Sequence, residues 1–126
     1  MALSNTLARL RPHMLSVLRV VVGYLFFWHG YTKLAGDVSL LALPGLAMLL
    51  ELAGGVLLVM GLFTRPVAFI LSGEMAFAYF LAHVPAGHAL YPVDNGGDLA
   101  VTWCFLFLYF VFAGGGVWAL DNLKRR

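Results

Sequence analysis

Apolar residues run in long blocks along this chain, and polar residues gather at a few points between them. Four blocks reach about 20 residues, the length a helix needs to cross the hydrocarbon core of a bilayer. They lie at about 14–35, 44–63, 66–83 and 98–118. Alternation of period two is weak and the runs are too long for strands, so the pattern predicts helices. The junctions agree with this division. Gly36-Asp37 closes the first block, and Val84-Pro85-Ala86-Gly87 closes the third. Phe63-Thr64-Arg65-Pro66 is a tight connection, with Pro66 in a first helical turn, where a missing N–H costs little. Asn95-Gly96-Gly97-Asp98 reads as a capping box that places Asp98 at the third helical position. Gly114, Gly115 and Gly116 loosen the end of the fourth block, and Trp118 stands where an interfacial aromatic belongs. The expected fold is all-α: a four-transmembrane-helix bundle forming one domain over residues 1–126.

Composition sharpens this picture. Apolar residues make up 62% of 126 residues and charged residues only 11%, against about 25% charged in average soluble proteins. A small soluble domain has much surface for its volume and needs more polar residues than this. The balance excludes a soluble enzyme, a disordered chain and a nucleic-acid binder. The net charge of +2 is not a patch. Arg9, Arg11, Arg65, Lys124, Arg125 and Arg126 fall on one side of the expected membrane, and Lys33 falls near the other with Asp37, Asp94 and Asp98. This asymmetry predicts that both termini are cytoplasmic. The first apolar stretch, Met14 to Leu34, contains Arg19 and exceeds the ~7–15 residues of a cleavable signal core, so it reads as a retained span. Cys104 is the lone cysteine, which excludes an intrachain thiol relay and reads as a small buried residue.

The informative residues are the ionisable ones inside the spans: Arg19, His29, Lys33, Glu51, Glu74 and His83. A charge at mid-bilayer costs about 2.5–3.5 kcal/mol on insertion scales, so these groups should turn inward and pair or lose their charge. At about 1.5 Å per residue, Arg19 lies roughly 8–9 Å from the inner boundary, Glu74 roughly 12 Å and Glu51 about 18 Å. His29 and His83 come next, at about 22 and 25 Å. The expectation is a buried cluster of Arg19, Glu51 and Glu74, with Lys33 and His29 at its outer mouth. Lys33 or a protonated glutamate would neutralise its excess negative charge. Arg19, Gly23, Gly30 and Lys33 share one helical stripe, and Glu51 shares another with Ala47, Gly55 and Leu58. Small residues beside a charge mark close helix packing. On the fourth span Asp98, Thr102, Phe105, Tyr109 and Gly116 align, which offers a carboxylate, a hydroxyl and a phenol on one face.

Two readings of the cluster stand side by side. It fixes helix packing without chemistry, or it binds a proton, an ion or a small redox carrier. The histidines divide similarly. A haem would need a facing pair such as His29 and His83, but His83 points about 180° away from Glu74 on their helix. A metal site from His29, His83, His88 and an outer-loop aspartate has no dense His/Cys motif behind it. Interfacial hydrogen bonding is the simpler role for all three, with Asn95 and Asp98 as further outer-loop candidates.

These residues also form a familiar pattern. Arg19-(x)3-Gly23-(x)5-His29-Gly30-(x)2-Lys33, Glu51-(x)2-Gly54-Gly55 and Gly61-(x)2-Thr64-Arg65 resemble the DoxX family of small four-span bacterial membrane proteins. Ser72-Gly73-Glu74-Met75-Ala76-(x)2-Tyr79-Phe80 with His83 and Pro85, then Pro92-(x)2-Asn95-Gly96-Gly97 and Gly114-Gly115-Gly116-Val117-Trp118-Ala119-Leu120-Asp121, resemble one branch of it. Asp98 and Ala119 depart mildly from that branch, where glutamate and serine are common. The resemblance implies a multi-pass protein of the bacterial inner membrane. It also implies an accessory subunit of a membrane redox system, with a quinone as the cofactor in view and no stand-alone catalysis. Its partners would be the bilayer, membrane redox proteins and further copies of itself. On that reading Arg19 holds the glutamates ionised or orients a quinone oxygen. Glu51 or Glu74 accepts a proton, and Tyr109 donates a hydrogen bond from the fourth span. The rival functions are a small oligomeric transporter or proton pathway, and a scaffold or assembly factor.

Overall fold

The computed structural model describes residues 1–125, and these form four α-helices and no strand. Helix α1 spans Ala2–Leu34, α2 Leu43–Met60, α3 Thr64–Ala78 and α4 Asp98–Ala113. A π-helical turn at Tyr79–His83 and a 3-10 turn at Val84–Ala86 prolong α3, so that the helical rod runs from Thr64 to Ala86. A 3-10 segment, Leu120–Arg125, comes after α4. Three helices are long and apolar enough to cross a membrane: α1, α2 and the Thr64–Ala86 rod. Helix α4 is apolar but has only 16 residues.

Several boundaries differ from those expected. Helix α1 begins twelve residues before the apolar block and passes through Pro12. At 33 residues it is about 50 Å long, well beyond a ~30 Å hydrocarbon core. Helix α4 ends at Ala113 instead of 118, because Gly114 and Gly116 adopt φ of 78° and 81°. A left-handed residue stops a helix, and glycine does this without steric cost. The three glycines therefore do not loosen a span; they turn the chain into a strap, residues 114–125. The capping box is also absent. Asp98 is the first residue of α4 rather than the third, and Gly97 occupies the cap position. The Asn95 side-chain oxygen accepts the Gly97 N–H at 2.9 Å instead. Arg126, counted among the basic residues of one side, and the Arg125 side chain lie outside the described part.

Close packing tracks the small residues. Helices α1 and α2 touch where Gly23 faces Gly55, and a Cβ built on Gly23 would lie 2.9 Å from the Gly55 carbonyl oxygen. A Cβ on Gly30 would meet Glu51 and Leu52 at the same distance. Side chains from all four helices share one apolar cluster: Val22 and Phe26, Leu58, Ala68, Leu71 and Met75, then Trp103, Phe107 and Phe110. The buried residues of α4 recur at 100, 103, 107 and 110, the helical period. The opposite stripe of Thr102, Phe105 and Tyr109 faces out. That core separates two polar centres, one at each end of the helices.

Candidate functional site

The first centre gathers around Arg19. Its side chain is 1% exposed, yet it meets neither glutamate. Its Nε donates to the Gly115 carbonyl at 2.8 Å, and one terminal nitrogen donates to the carbonyls of Leu58 and of Val59, the latter at 2.6 Å. These carbonyls are available because α2 ends there. Gly61 is left-handed, and the Leu62 N–H turns back to Leu57. Leu58 stands seven residues past Glu51, about 10 Å along the helix. The expected Arg19–Glu51–Glu74 cluster therefore does not form. Arginine has five donors in a planar fork, and the open carbonyls at a helix C-terminus attract a cation. Those acceptors lie on Arg19's own level, whereas the carboxylates lie deeper.

The strap completes this centre. Ser16 Oγ sits between the Pro12 and Gly115 carbonyls and accepts the Trp118 N–H at 3.1 Å. Asp121 accepts the Phe63 N–H at 2.7 Å and the Thr64 N–H at 2.9 Å, closing the N-terminus of α3. Burial pushes the Asp121 carboxyl up, but these hydrogen bonds and the nearby Lys124 charge outweigh it and hold it below the usual carboxylate range. Arg65 donates to the Val111 and Phe112 carbonyls, both at 2.8 Å, at the last turn of α4. An opening of about 530 Å³ lies under the strap, and Arg65, Asp121 and the three glycines 114–116 are among the residues that line it. Nearly every polar group here has a partner. The exception is the Thr64 hydroxyl, which is buried without a partner; the arrangement otherwise joins chain ends.

The second centre lies toward the other end, and its polar groups are underpaired. Lys33 Nζ meets Glu51 Oε1 at 2.6 Å. Glu51 is 3% exposed, and its second oxygen is buried with no hydrogen-bond partner. Both Glu74 carboxyl oxygens are buried and unpartnered as well. Glu51 and Lys33 are the charges close enough to act on Glu74. Lys33, and not Arg19, is thus the cation of the glutamate pair.

Glu51 also lines a pocket of about 200 Å³, together with His29, His83, Phe26, Met75 and Trp103. The His29 ring meets Trp103 edge to face at 5.8 Å, and Phe26 lies 5.0 Å from Trp103 between centroids. His83 reaches the pocket because the π-helical turn inserts an extra residue after α3 and rotates the residues beyond it. That turn breaks the regular step of about 100° behind the expected separation of about 180° from Glu74, and His83 lines the pocket with Glu51. The His83 Nδ1 lies 3.4 Å from the Asn95 carbonyl oxygen. Asn95 is buried and donates to Tyr79 Oη at 3.2 Å, while Tyr79 donates to the Ala89 carbonyl at 2.6 Å. These bonds fold the loop between α3 and α4 over the pocket.

Three expected site residues lie elsewhere. Tyr109 is 56% exposed on the outer face of α4 and cannot donate into the pocket. Asp98 is exposed at the start of α4, and His88 is exposed in the loop at φ 50°. Among the described residues no group of three or more His, Cys, Asp or Glu side chains comes together as a metal would require. Trp103 and Met75 are pocket walls that sequence reasoning did not single out, although the 100-103-107-110 spacing marks the inward face of α4. Ser16, in the Arg19 centre, was also not singled out, although it stands three residues before Arg19 on the same stripe.

The DoxX family model matches residues 14–84, which includes Arg19, Lys33, Glu51 and Glu74. An uncharacterized protein of Haemophilus influenzae is 46% identical over 132 aligned positions, which cover 94% of this chain and 96% of that protein. No solved structure matches the chain. Taken with three helices apolar enough to cross a bilayer, the match makes this chain a membrane protein that belongs to the DoxX family.

Proposed function

We propose that the chain is a multi-pass four-helix bundle of the bacterial inner membrane, with both termini cytoplasmic, that serves a quinone-linked redox system as an accessory subunit. The orientation rests on the basic residues. Arg9, Arg11, Arg65 and Lys124 belong to the Arg19 end, and Lys33 alone belongs to the other. With α4 at 16 residues, or about 24 Å, the fourth crossing is short. Trp118 in the strap extends it to the interface.

The observation that carries the redox reading is the 200 Å³ pocket, which sets two imidazoles and a half-paired carboxyl against aromatic walls. Ligand sites are mostly apolar, with a few convergent polar groups. A quinone headgroup is a flat apolar ring with two carbonyl oxygens, and it suits this lining. The ring packs against Trp103 and Met75, and an imidazole N–H of His29 or His83 donates to a carbonyl oxygen. Glu51 exchanges a proton at the same place. A bound quinone supplies two-electron, two-proton chemistry, and the electrons come from a partner protein.

The test is binding in lipid nanodiscs. In a Trp28→Phe/Trp118→Phe background, a short-tailed ubiquinone should quench Trp103 fluorescence saturably. Ala78→Phe, which fills the pocket from a partly exposed position, should weaken the apparent affinity at least tenfold. Quenching that grows without saturation, equally in both proteins, would reflect partition into lipid and remove the proposal.

A further inference from the structure

The second centre contains more buried acid than base. Glu51 and Glu74 bring two carboxyl groups, and the Lys33 ammonium brackets only Glu51 Oε1. Three carboxyl oxygens remain buried without a donor: Glu51 Oε2, Glu74 Oε1 and Glu74 Oε2. An ionised carboxylate with no hydrogen bond in an apolar site is heavily penalised, and such a group takes up a proton instead. Two carboxyls within each other's field cannot both ionise easily.

We propose that Glu51 and Glu74 hold one proton between them, seated mainly on Glu74, in a proton-binding site that exchanges with the aqueous phase only at the Lys33 end. This goes beyond the quinone reading and stands without it. The elements around the pair bring few other titratable groups. Helix α1 offers Lys33 and His29, the turn after α3 offers His83, and α4 offers only Leu99, Ala100 and Trp103 to the pocket. The histidines lie along the pocket wall and neither bonds to a free glutamate oxygen. A metal cation is a poor alternative, because three oxygens fall short of the roughly six that hard cations require.

The one-sidedness comes from the core. Lys33 is 35% exposed and opens the site outward. Toward the Arg19 end, Leu58, Phe107 and Phe110 are wholly buried, and Val22 and Leu71 nearly so. A proton moving that way meets an apolar plug beyond the Ser72 hydroxyl, which is itself committed to the Cys104 carbonyl at 2.8 Å. The site therefore stores a proton and does not conduct one.

Infrared difference spectroscopy on the protein in nanodiscs tests this. At neutral pH the wild type should show a protonated carboxyl C=O band that shifts in heavy water. Glu74→Gln should abolish it, and Glu74→Asp should move it without removing it. Heavy-isotope labelling of glutamate carboxyls in the wild type gives the same assignment to glutamate if the variants fail to fold. Proteoliposomes under a pH gradient should show no proton flux above empty vesicles. A wild-type spectrum without the band, or a band that survives Glu74→Gln or ignores the labelling, overturns the shared proton. A band erased by sodium at constant pH places a metal cation there instead, and flux abolished by Glu74→Gln overturns the one-sided access. Quinone binding is measured separately, so its failure leaves this result intact.

Discussion

The two polar centres use similar residues to opposite ends. Arg19 is as deeply buried as Glu51, at 1% against 3% exposure. Around Arg19, three carbonyls accept the guanidinium, Ser16 and Asp121 tie the strap to α1 and to the start of α3, and Arg65 ties α3 to the last turn of α4. Around Glu51, one ion pair is formed and three carboxyl oxygens are left over. Buried polar groups in folded proteins are normally hydrogen-bonded. A satisfied centre therefore reads as structure, and an unsatisfied one as a place kept for something else. The contrast separates a structural role for the Arg19 end from the binding role proposed for the Glu51 end.

The largest effect should come from the satisfied centre. Arg19→Met removes the donor to Gly115, Leu58 and Val59 together. Hydrogen bonds from a charged group contribute about 1.5–3 kcal/mol each, and they are not additive. A loss of about 3 kcal/mol or more is expected, measured as unfolding of the detergent-solubilised protein by circular dichroism. Protein that remains folded should keep its affinity for the pocket probe. If Arg19→Met instead unfolds like the wild type and loses the probe, the assignment of roles to the two centres is reversed.

An effect of intermediate size should come from Asp121, which acts as a cap from a distance. Asp121→Ala leaves the Phe63 and Thr64 N–H groups open, and loss of a helix cap costs about 1 kcal/mol. The pH dependence has a definite sign. Because the folded state holds the Asp121 carboxyl below its ordinary value, its contribution is present above the unfolded value of about 4. It is lost as pH falls through the lower, folded value. The wild type should therefore approach Asp121→Ala in thermal stability on acidification below about pH 4. A gap between the two that is constant from neutral pH down to that range would show that the Asp121 charge has no part in the cap.

Helix positions and packing faces were legible in the sequence because lipid imposes one rule on every span. Apolar runs marked the helices, and the glycines at 23, 30 and 55 marked the α1–α2 seam. Depth along each helix also placed Glu51 closer to His29 than to Arg19. The error lay in pairing charges by sign alone. Backbone carbonyls compete for an arginine, and the C-terminus of α2 presents those of Val59 and of Leu58, the latter shared with the Gly61 N–H, a demand that cannot be seen in side-chain chemistry. The other losses were local. The π-helical turn rotated His83 into the pocket, and glycines at positive φ cut α4 short, so the strap that satisfies Arg19 looked like the tail of a helix.

The smallest expected effect tests which face of α4 looks inward. Asp98, Thr102, Phe105 and Tyr109 share a stripe, but all four are exposed, and the Thr102 hydroxyl turns back to the Asp98 carbonyl at 2.9 Å. The inward face is the other one, carrying Trp103 and Phe107. Tyr109 Oη has no partner within the chain among the described residues, so Tyr109→Phe removes no internal contact. Substitutions at such exposed positions usually stay within about 0.5 kcal/mol. The variant should unfold within that margin of the wild type and bind the pocket probe with unchanged affinity, measured by the same Trp103 quenching. A several-fold loss of probe affinity would mean that Tyr109 reaches the ligand, either by rotation of α4 or from a neighbouring copy in an oligomer. The state of assembly in the nanodisc separates these, because only the second disappears when a single copy is loaded per disc.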